Sequence, residues 1–251
     1  MSVLEKISNQ KMMLIALLLL AIYPISILAA RLEIWHFRNS FLLFIVAALL
    51  GFGVLVISIL KMSKIGGNSA GIDEKEPARY LVISVAATLL PLMLLGSNVY
   101  KAQQYPFIHD ISTDVVTPPE FIAAQQDRNE SDHSVVYEGE DLALIQQKYY
   151  PEINSLILKS DALQVFNTSK ALLMDSGWNI LAAQNQQMPF TLEAVSTSAL
   201  FAFKDDVVIR IQPLKDSVQV DMRSMSRQGK SDLGVNAKRI NKFLASLQAR
   251  L

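Results

Sequence analysis

Three long stretches of apolar side chains dominate the first hundred residues. Residues 12–30 and 41–60 contain no charged side chain, and at about 1.5 Å per residue each is long enough to cross a hydrocarbon core of about 30 Å. Residues 81–99 are also uncharged, although Pro91 lies within them. A second apolar stretch follows the first closely, which favours a retained anchor over a cleaved signal peptide. The pattern predicts a membrane domain at residues 1–100 with three transmembrane helices.

The basic residues beside these stretches predict their orientation. Six of them lie in the N-terminal segment or between the second and third stretches: Lys6, Lys11, Lys61, Lys64, Lys75 and Arg79. Three lie on the opposite side: Arg31, Arg38 and Lys101. Because Lys and Arg are enriched in cytoplasmic loops, the N-terminus is predicted to be cytoplasmic. Three spans of a bacterial inner membrane then place residues 101–251 in the periplasm.

Beyond residue 100 the spacing of apolar residues becomes that of an α+β domain. Apolar stripes with a period of three to four predict helices at about 142–149, at 161–176 and after Asp232. Alternating patterns predict strands at 191–203, 207–211 and 217–223, joined as an antiparallel meander. Shorter strands are predicted at 134–137 and 178–182. We expect three N-terminal transmembrane helices followed by a two-layer α/β sandwich that ends in a C-terminal helix.

The alternation along the sheet predicts where its charged side chains point. Val218, Val220 and Met222 fall on the apolar face, whereas Arg223 falls on the opposite face. We predict that Asp206 and Arg223 form a cross-strand ion pair on that opposite face. The polar segment 122–141 is predicted to be a solvated loop.

Composition argues against several classes of site. The chain has no cysteine, which rules out disulfides, thiolate zinc sites and cysteine nucleophiles. Its three histidines are too few for a multi-histidine metal centre, so we expect no metal and no cofactor. The 23 basic and 23 acidic residues balance, which argues against a nucleic-acid partner.

The stretch around the start of the closing helix is the main candidate site. A strand end with a basic residue, a Ser/Gly loop and a helix N-terminus are together typical of anion binding. The candidate ligand-binding residues are Arg223, Ser224, Ser226, Arg227, Gly229, Ser231, Asp232, Asn236 and Arg239. Asp232 is the predicted N-cap. The same residues equally fit a structural joint, in which Arg227 is tied to backbone carbonyls or to Glu193.

A second cluster combines His109, Asp110 and Asp114. It fits either a small acid–base or metal cluster, or a turn whose carboxylates accept backbone N–H groups. Residues 105–141 hold nine acidic residues and one arginine, whereas residues 223–250 hold seven basic residues and one acidic residue. The basic end either docks phosphate, carboxylate or lipid headgroups, or complements the acidic segment within the domain.

Several phrases of the sequence together resemble one family. They are H-D-I-S-T-D and P-P-E-F within 109–121, Y-Y-P-E-I at 149–153, G-W-N-I at 177–180, E-A-V-S-T at 193–197, F-K-D-D-V-V-I-R-I at 203–211 and R-S-M-S-R-Q-G-K-S-D-L-G-V-N-A-K-R-I at 223–240. In these phrases the chain resembles the bacterial domain-of-unknown-function family fourteen-ninety-nine, whose members often carry preceding membrane spans. The resemblance implies a shared domain and brings no established activity. Glu152 stands where the family's phrase has Asp.

These observations predict a non-catalytic, inner-membrane-anchored domain that binds an anionic envelope ligand or a partner protein. One alternative is a periplasmic hydrolase that uses His109 with a serine of the 224–231 loop. Another is a structural subunit of a membrane complex. No histidine lies near that loop in sequence and no G-x-S-x-G elbow is present. The hydrolase therefore needs the fold to bring His109 to a loop serine.

Overall fold

The computed structural model describes residues 7–32, 34–66 and 75–251. Three long helices come first: α1 (Asn9–Arg31), α2 (Phe37–Gly66) and α3 (Lys75–Ala102). Each contains a segment long and apolar enough to cross a membrane, namely Asn9–Arg31, Phe37–Lys64 and Ala78–Ser97. The prediction of three long apolar N-terminal helices is confirmed. Lys6, which entered the prediction of orientation, lies outside the described residues.

The three helices pack through a cluster of small and large side chains and expose many other large apolar ones. The buried cluster between them consists of Met12, Ala16, Leu19, Tyr23, Ala47, Val54 and Ala87. Leu18 and Leu49 point outward and are 69% and 68% exposed. Membrane helices approach one another through small residues and leave their large apolar side chains to the lipid. This distribution fits association with a membrane.

A second compact unit comprises Gln103–Ala199 and Phe203–Leu251. Its helices are α4 (Ala123–Asp127), α5 (Glu140–Tyr149), α6 (Ala162–Asp175) and α7 (Val235–Ala249). Its strands are β1 (Asp110–Ser112), β2 (Leu156–Leu158), β3 (Asn179–Gln184), β4 (Phe190–Thr197), β5 (Lys204–Pro213) and β6 (Val218–Ser226). The α+β class is confirmed, as is the closing helix.

All six strands form one antiparallel sheet in the order β1-β6-β5-β4-β3. The predicted meander is present as β4, β5 and β6, and β3 adds to its outer side. Strands β1 and β2 both pair with β6, at Arg223–Met225 and at Val218–Val220 respectively. Neither was predicted, because three residues are too few to show an alternating pattern. The strand predicted at 134–137 is wrong, since this segment is irregular.

Helices α6 and α7 cover one face of the sheet. Asp161 begins α6 by accepting hydrogen bonds from the backbone N–H groups of Leu163 and Gln164. Gly177, at a φ of 68°, follows its end. The core beneath includes Val165, Phe166, Leu173, Ile209, Val220, Met222, Ile240 and Leu247. Burial of these apolar stripes holds the helix layer on the sheet.

The opposite face of the sheet is also buried, contrary to the prediction of a solvated loop there. Residues 113–138, which we call the cover segment, fold over it. Phe121 and Ala124 of the cover segment pack against Val208 and Met225 of the sheet. Arg223 lies on this face as predicted, but the cover segment excludes it from solvent.

Candidate functional site

Arg223 is fully engaged by partners within the domain. Its Nη2 lies 2.7 Å from Oδ2 of Asp110, and its Nε lies 3.0 Å from Oδ1 of the same carboxylate. Nη1 donates to the carbonyl of Pro119 at 3.2 Å, and Nη2 also donates to the carbonyl of Val135 at 2.9 Å. The guanidinium lies over the ring of Phe121, 4.8 Å from its centroid. Arg223 therefore fastens the cover segment to β6.

Two arginines share the buried carboxylate of Asp206. Arg227 Nη2 lies 2.7 Å from Oδ1 of Asp206 and 2.7 Å from Oδ2 of Asp127. Arg128 Nε lies 2.7 Å from Oδ2 of Asp206. Burial by itself lowers the pKa of Arg227, but the hydrogen bonds to the two carboxylates outweigh it and the pKa is raised. The predicted pair between Asp206 and Arg223 is wrong, because Asp206 stands opposite Met225 in the sheet.

Glu193 binds backbone N–H groups rather than Arg227, the partner considered from the sequence. Its carboxylate accepts hydrogen bonds from the backbone N–H groups of Ile122, Ala123 and Ala124 at 2.9 to 3.1 Å. A carboxylate at a helix N-terminus satisfies N–H groups that have no partner inside the helix. Glu193 therefore holds the start of α4 against the sheet, and Arg227 makes its contacts elsewhere.

Four predicted site residues converge beside α7. Ser224 Oγ donates to Oδ1 of Asn236 at 2.7 Å, and Nδ2 of Asn236 donates to Oγ of Ser226 at 3.0 Å. Arg239 donates to Ser224 Oγ at 2.9 Å and also to Asn236. Its Nη2 lies 2.5 Å from Oδ2 of Asp205. This carboxylate was missed by the sequence prediction, although alternation along β5 places it on the face opposite Asp206.

The predicted N-cap is wrong by two residues, because the N-cap of α7 is Gly234 rather than Asp232. The helix begins at Val235, and Gly234 precedes it in the left-handed conformation at a φ of 74°. Asp232 accepts hydrogen bonds from the N–H groups of Gly234 at 2.9 Å and Asn236 at 2.7 Å. Burial raises the pKa of Asp232, against the effect of these two bonds. One carboxylate thus already occupies the helix N-terminus.

The remaining predicted residues of the loop, Gly229 and Ser231, shape the loop and bind it to the rest of the domain. Ser231 Oγ donates to the carbonyl of Pro106 at 2.9 Å, and Gly229 forms an exposed turn at a φ of 94°. Each arginine of the predicted site thus pairs with a different carboxylate. Ser224, Ser226, Asn236 and Arg239 are in addition joined by hydrogen bonds to one another.

The second predicted cluster separates in the structure. Asp110 bonds Arg223, and Asp114 accepts the backbone N–H groups of Val116 at 3.0 Å and Thr117 at 2.9 Å. His109 packs on His133 with ring centroids 4.1 Å apart. Burial, then the neighbouring His133, lowers the pKa of His109. Across residues 7–32, 34–66 and 75–251, no three His, Asp or Glu side chains are grouped so that they could hold a metal ion.

The geometry around His109 does not form a serine–histidine pair. Its backbone carbonyl accepts hydrogen bonds from the N–H of Ser226 at 2.8 Å and from Nδ2 of Asn236 at 3.0 Å. Within the described part of the chain, its buried Nε2 has no hydrogen-bond partner. A general base must reach the hydroxyl that it activates, and the imidazole makes no such contact with a serine of the 224–231 loop.

A comparison with protein families identifies the family of this domain. The family described as "Protein of unknown function (DUF1499)" matches residues 110–247, more than half of the 251 residues. The chain belongs to this family. The match begins with β1 and ends within α7, so every ion pair of Arg223, Arg227 and Arg239 lies inside the DUF1499 domain. A comparison with curated proteins finds no match.

Three lysines carry most of the basic charge that remains exposed near the DUF1499 C-terminus, and the exposed Arg250 is paired with Asp175. Lys230, Lys238 and Lys242 are exposed, whereas Arg223 and Arg227 are buried. Lys238 Nζ bonds the hydroxyl of Tyr105 at 3.0 Å and lies 5.2 Å from the centroid of its ring. The lysines are therefore available to an external anion in a way that the two arginines are not.

Proposed function

We propose that this protein is a non-catalytic domain held at the periplasmic face of a bacterial inner membrane, where it binds anionic lipid headgroups. The exposed lysines of α7 carry the binding. The observation behind the proposal is the contact between Lys238 and Tyr105. It links the basic surface of α7 to the start of the C-terminal domain.

Chain connectivity limits how far Tyr105 can lie from the end of α3. Helix α3 ends at Ala102, and Tyr105 follows three residues later. Three extended residues reach at most about 11 Å. Lys238 therefore bonds a residue, Tyr105, that lies no more than about that distance from the end of α3. A lysine close to an anionic surface contributes about 1 kcal/mol of attraction.

Lys238 and Lys242 also suit this role by their spacing. Residues four apart on a helix lie on the same side, so the two ammonium groups present one basic surface. A compact ammonium on a flexible stem binds phosphate without demanding a fixed geometry. The proposed ligand-binding surface thus retains α7 from the predicted 223–239 site, with Lys238 and Lys242 in place of the buried arginines.

The proposed location is tested by fusing a reporter that is active only in the periplasm after Leu251. The Lys/Arg distribution around the three spans predicts an active fusion. Activity of a cytoplasm-only reporter at the same position would overturn the periplasmic placement and the headgroup class with it.

Headgroup binding is tested with the full chain in lipid nanodiscs. The thermal midpoint should be higher in discs containing phosphatidylglycerol than in neutral discs, because a ligand that binds the folded state stabilises it. Salt should reduce the difference. The double variant Lys238→Gln, Lys242→Gln should abolish it, whereas Lys159→Gln, Lys170→Gln, which removes two other exposed lysines, should retain it.

Equal midpoints in the two lipids would refute the proposal. Inorganic phosphate added to neutral discs distinguishes the source of the anion. A rise as large as that produced by the anionic lipid would identify a soluble anion rather than a headgroup as the ligand.

A further inference from the structure

The two edge strands of the sheet, β1 and β3, differ in whether another part of the chain covers their backbone. At the β1 edge, the backbone N–H of Ser112 donates to Oε1 of Gln146 at 2.9 Å, and Nε2 of Gln146 donates to the carbonyl of Ser112 at 2.7 Å. The buried carboxamide of α5 thus occupies the place of a partner strand. An edge closed in this way offers less backbone to another chain.

The opposite edge, β3, has no such cover among the described residues. Its six residues pair with β4 on one side, and no hydrogen bond found in residues 75–251 joins its backbone to another segment. The strand reads N-I-L-A-A-Q, without a charge and without a proline. Exposed edges are usually protected by lysine, by proline, by a bulge or by a covering element, and of these β3 has only an irregularity at its centre. The edge therefore resembles a docking strand more than a protected one.

The centre of β3 carries this irregularity. Its register with β4 shifts between Ile180 and Ala182, so Leu181 has no partner residue on β4. The extra residue of such an irregularity is left out of the ladder. The residues on either side of Leu181 remain paired with β4, so the irregularity is confined to one residue.

We propose that β3 pairs with β3 of a second copy of the chain, in antiparallel fashion about a two-fold axis. The strand is complementary to itself. With the axis between Leu181 and Ala182, each of these faces the other residue in the second copy, Ile180 faces Ala183, and Asn179 faces Gln184. Large side chains then meet small ones, carboxamides meet carboxamides, and no like charges oppose each other. The two sheets become one continuous sheet.

The oligomeric state of the full chain in detergent tests this pairing. Light scattering should give the protein mass of a dimer for the wild type. Ala183 is exposed, so Ala183→Lys fits the monomer but brings two ammonium groups beside the axis. This variant should be monomeric at concentrations at least tenfold above those at which the wild type dimerises. Ala245→Lys makes the same change at an exposed residue of α7 and should remain dimeric.

A monomeric wild type would overturn the proposal and leave the β3 edge to a strand of another protein. Persistence of the dimer in Ala183→Lys would also overturn it, because the contact would then lie elsewhere, for example between the spans. Circular dichroism checks that the variant is folded.

A second experiment decides the matter if Ala183→Lys does not fold. Since the chain has no cysteine, a single introduced thiol can cross-link only to another copy. Ala183→Cys treated with a short bis-maleimide should give covalent dimers, and Ala245→Cys should give few. Absence of cross-linking at residue 183, or equal cross-linking at both positions, contradicts pairing through β3.

Discussion

Arg223 and Asp110 form an ion pair that is closed to solvent on all sides. Nη2 and Oδ2 are 2.7 Å apart, and each side chain is 2% exposed. The pair joins the C-terminal motif of the DUF1499 domain to its first strand. Because Arg223 also donates to carbonyls at both ends of the cover segment, it holds three parts of the domain together.

Removing this arginine should be strongly destabilising. Arg223→Met leaves the carboxylate of Asp110 buried without a counter-charge, and loss of one partner from a buried pair costs about 3–5 kcal/mol. The free energy of unfolding of the full chain, from denaturant titration followed by circular dichroism, measures this. Arg250→Met is the control, since its pair with Asp175 is largely exposed and should contribute less than about 1 kcal/mol. Equal losses would contradict this assignment.

Arg227→Lys distinguishes a structural residue from an anion ligand. Lysine cannot reproduce the donors that reach both Asp206 and Asp127, so we expect a loss of about 1–3 kcal/mol. Lys230→Arg, a conservative exchange at an exposed position in the same loop, should leave stability unchanged. The anion-site hypothesis instead requires unchanged stability in Arg227→Lys and loss of stabilisation by phosphate. Thermal midpoints with and without inorganic phosphate separate the two outcomes.

The glycine that precedes α7 should not tolerate a side chain. Gly234 has a φ of 74°, and a Cβ there would lie 2.5 Å from Cε1 of Tyr105. Gly229 has a φ of 94°, but the nearest atom to a Cβ there is the backbone oxygen of Ser231 at 3.8 Å. Gly229→Ala should therefore cost only the left-handed conformation, about 1–2 kcal/mol, and Gly234→Ala clearly more. Similar shifts in denaturation midpoint would show that Tyr105 moves aside freely.

His109 should make the domain less stable in acid. Burial and the adjacent His133 lower the pKa of His109 below its ordinary value of 6.5. The unfolded chain then binds the proton more tightly, so stability falls as the pH drops below about 6.5 toward the folded pKa. His109→Asn should flatten the dependence of unfolding free energy on pH between about 7.5 and 5.5. An unchanged slope in this variant would assign the effect to other groups.

The sequence alone was sufficient for the elements that carry a local period. The three long apolar helices follow from uninterrupted apolar length, and α7 follows from the stripe through Ala237, Ile240 and Leu247. The β4–β6 meander follows from alternation across three neighbouring segments with short connections. In each case the residues that specify the element lie within the element itself. The local sequence is therefore enough to predict it.

Tertiary structure decided the partners of the charged residues. Arg223 finds Asp110 113 positions away, and Arg227 finds Asp127 100 positions away. Complementarity of the acidic and basic segments was one of the two alternatives that the sequence left open, but no local pattern selects one carboxylate among nine. The selection depends on β1 joining β6 and on the cover segment crossing the sheet, since only then does desolvation make each unpaired charge costly. Long-range packing thus placed these arginines in buried ion pairs that stabilise the domain, and it left the lysines of α7 on the surface.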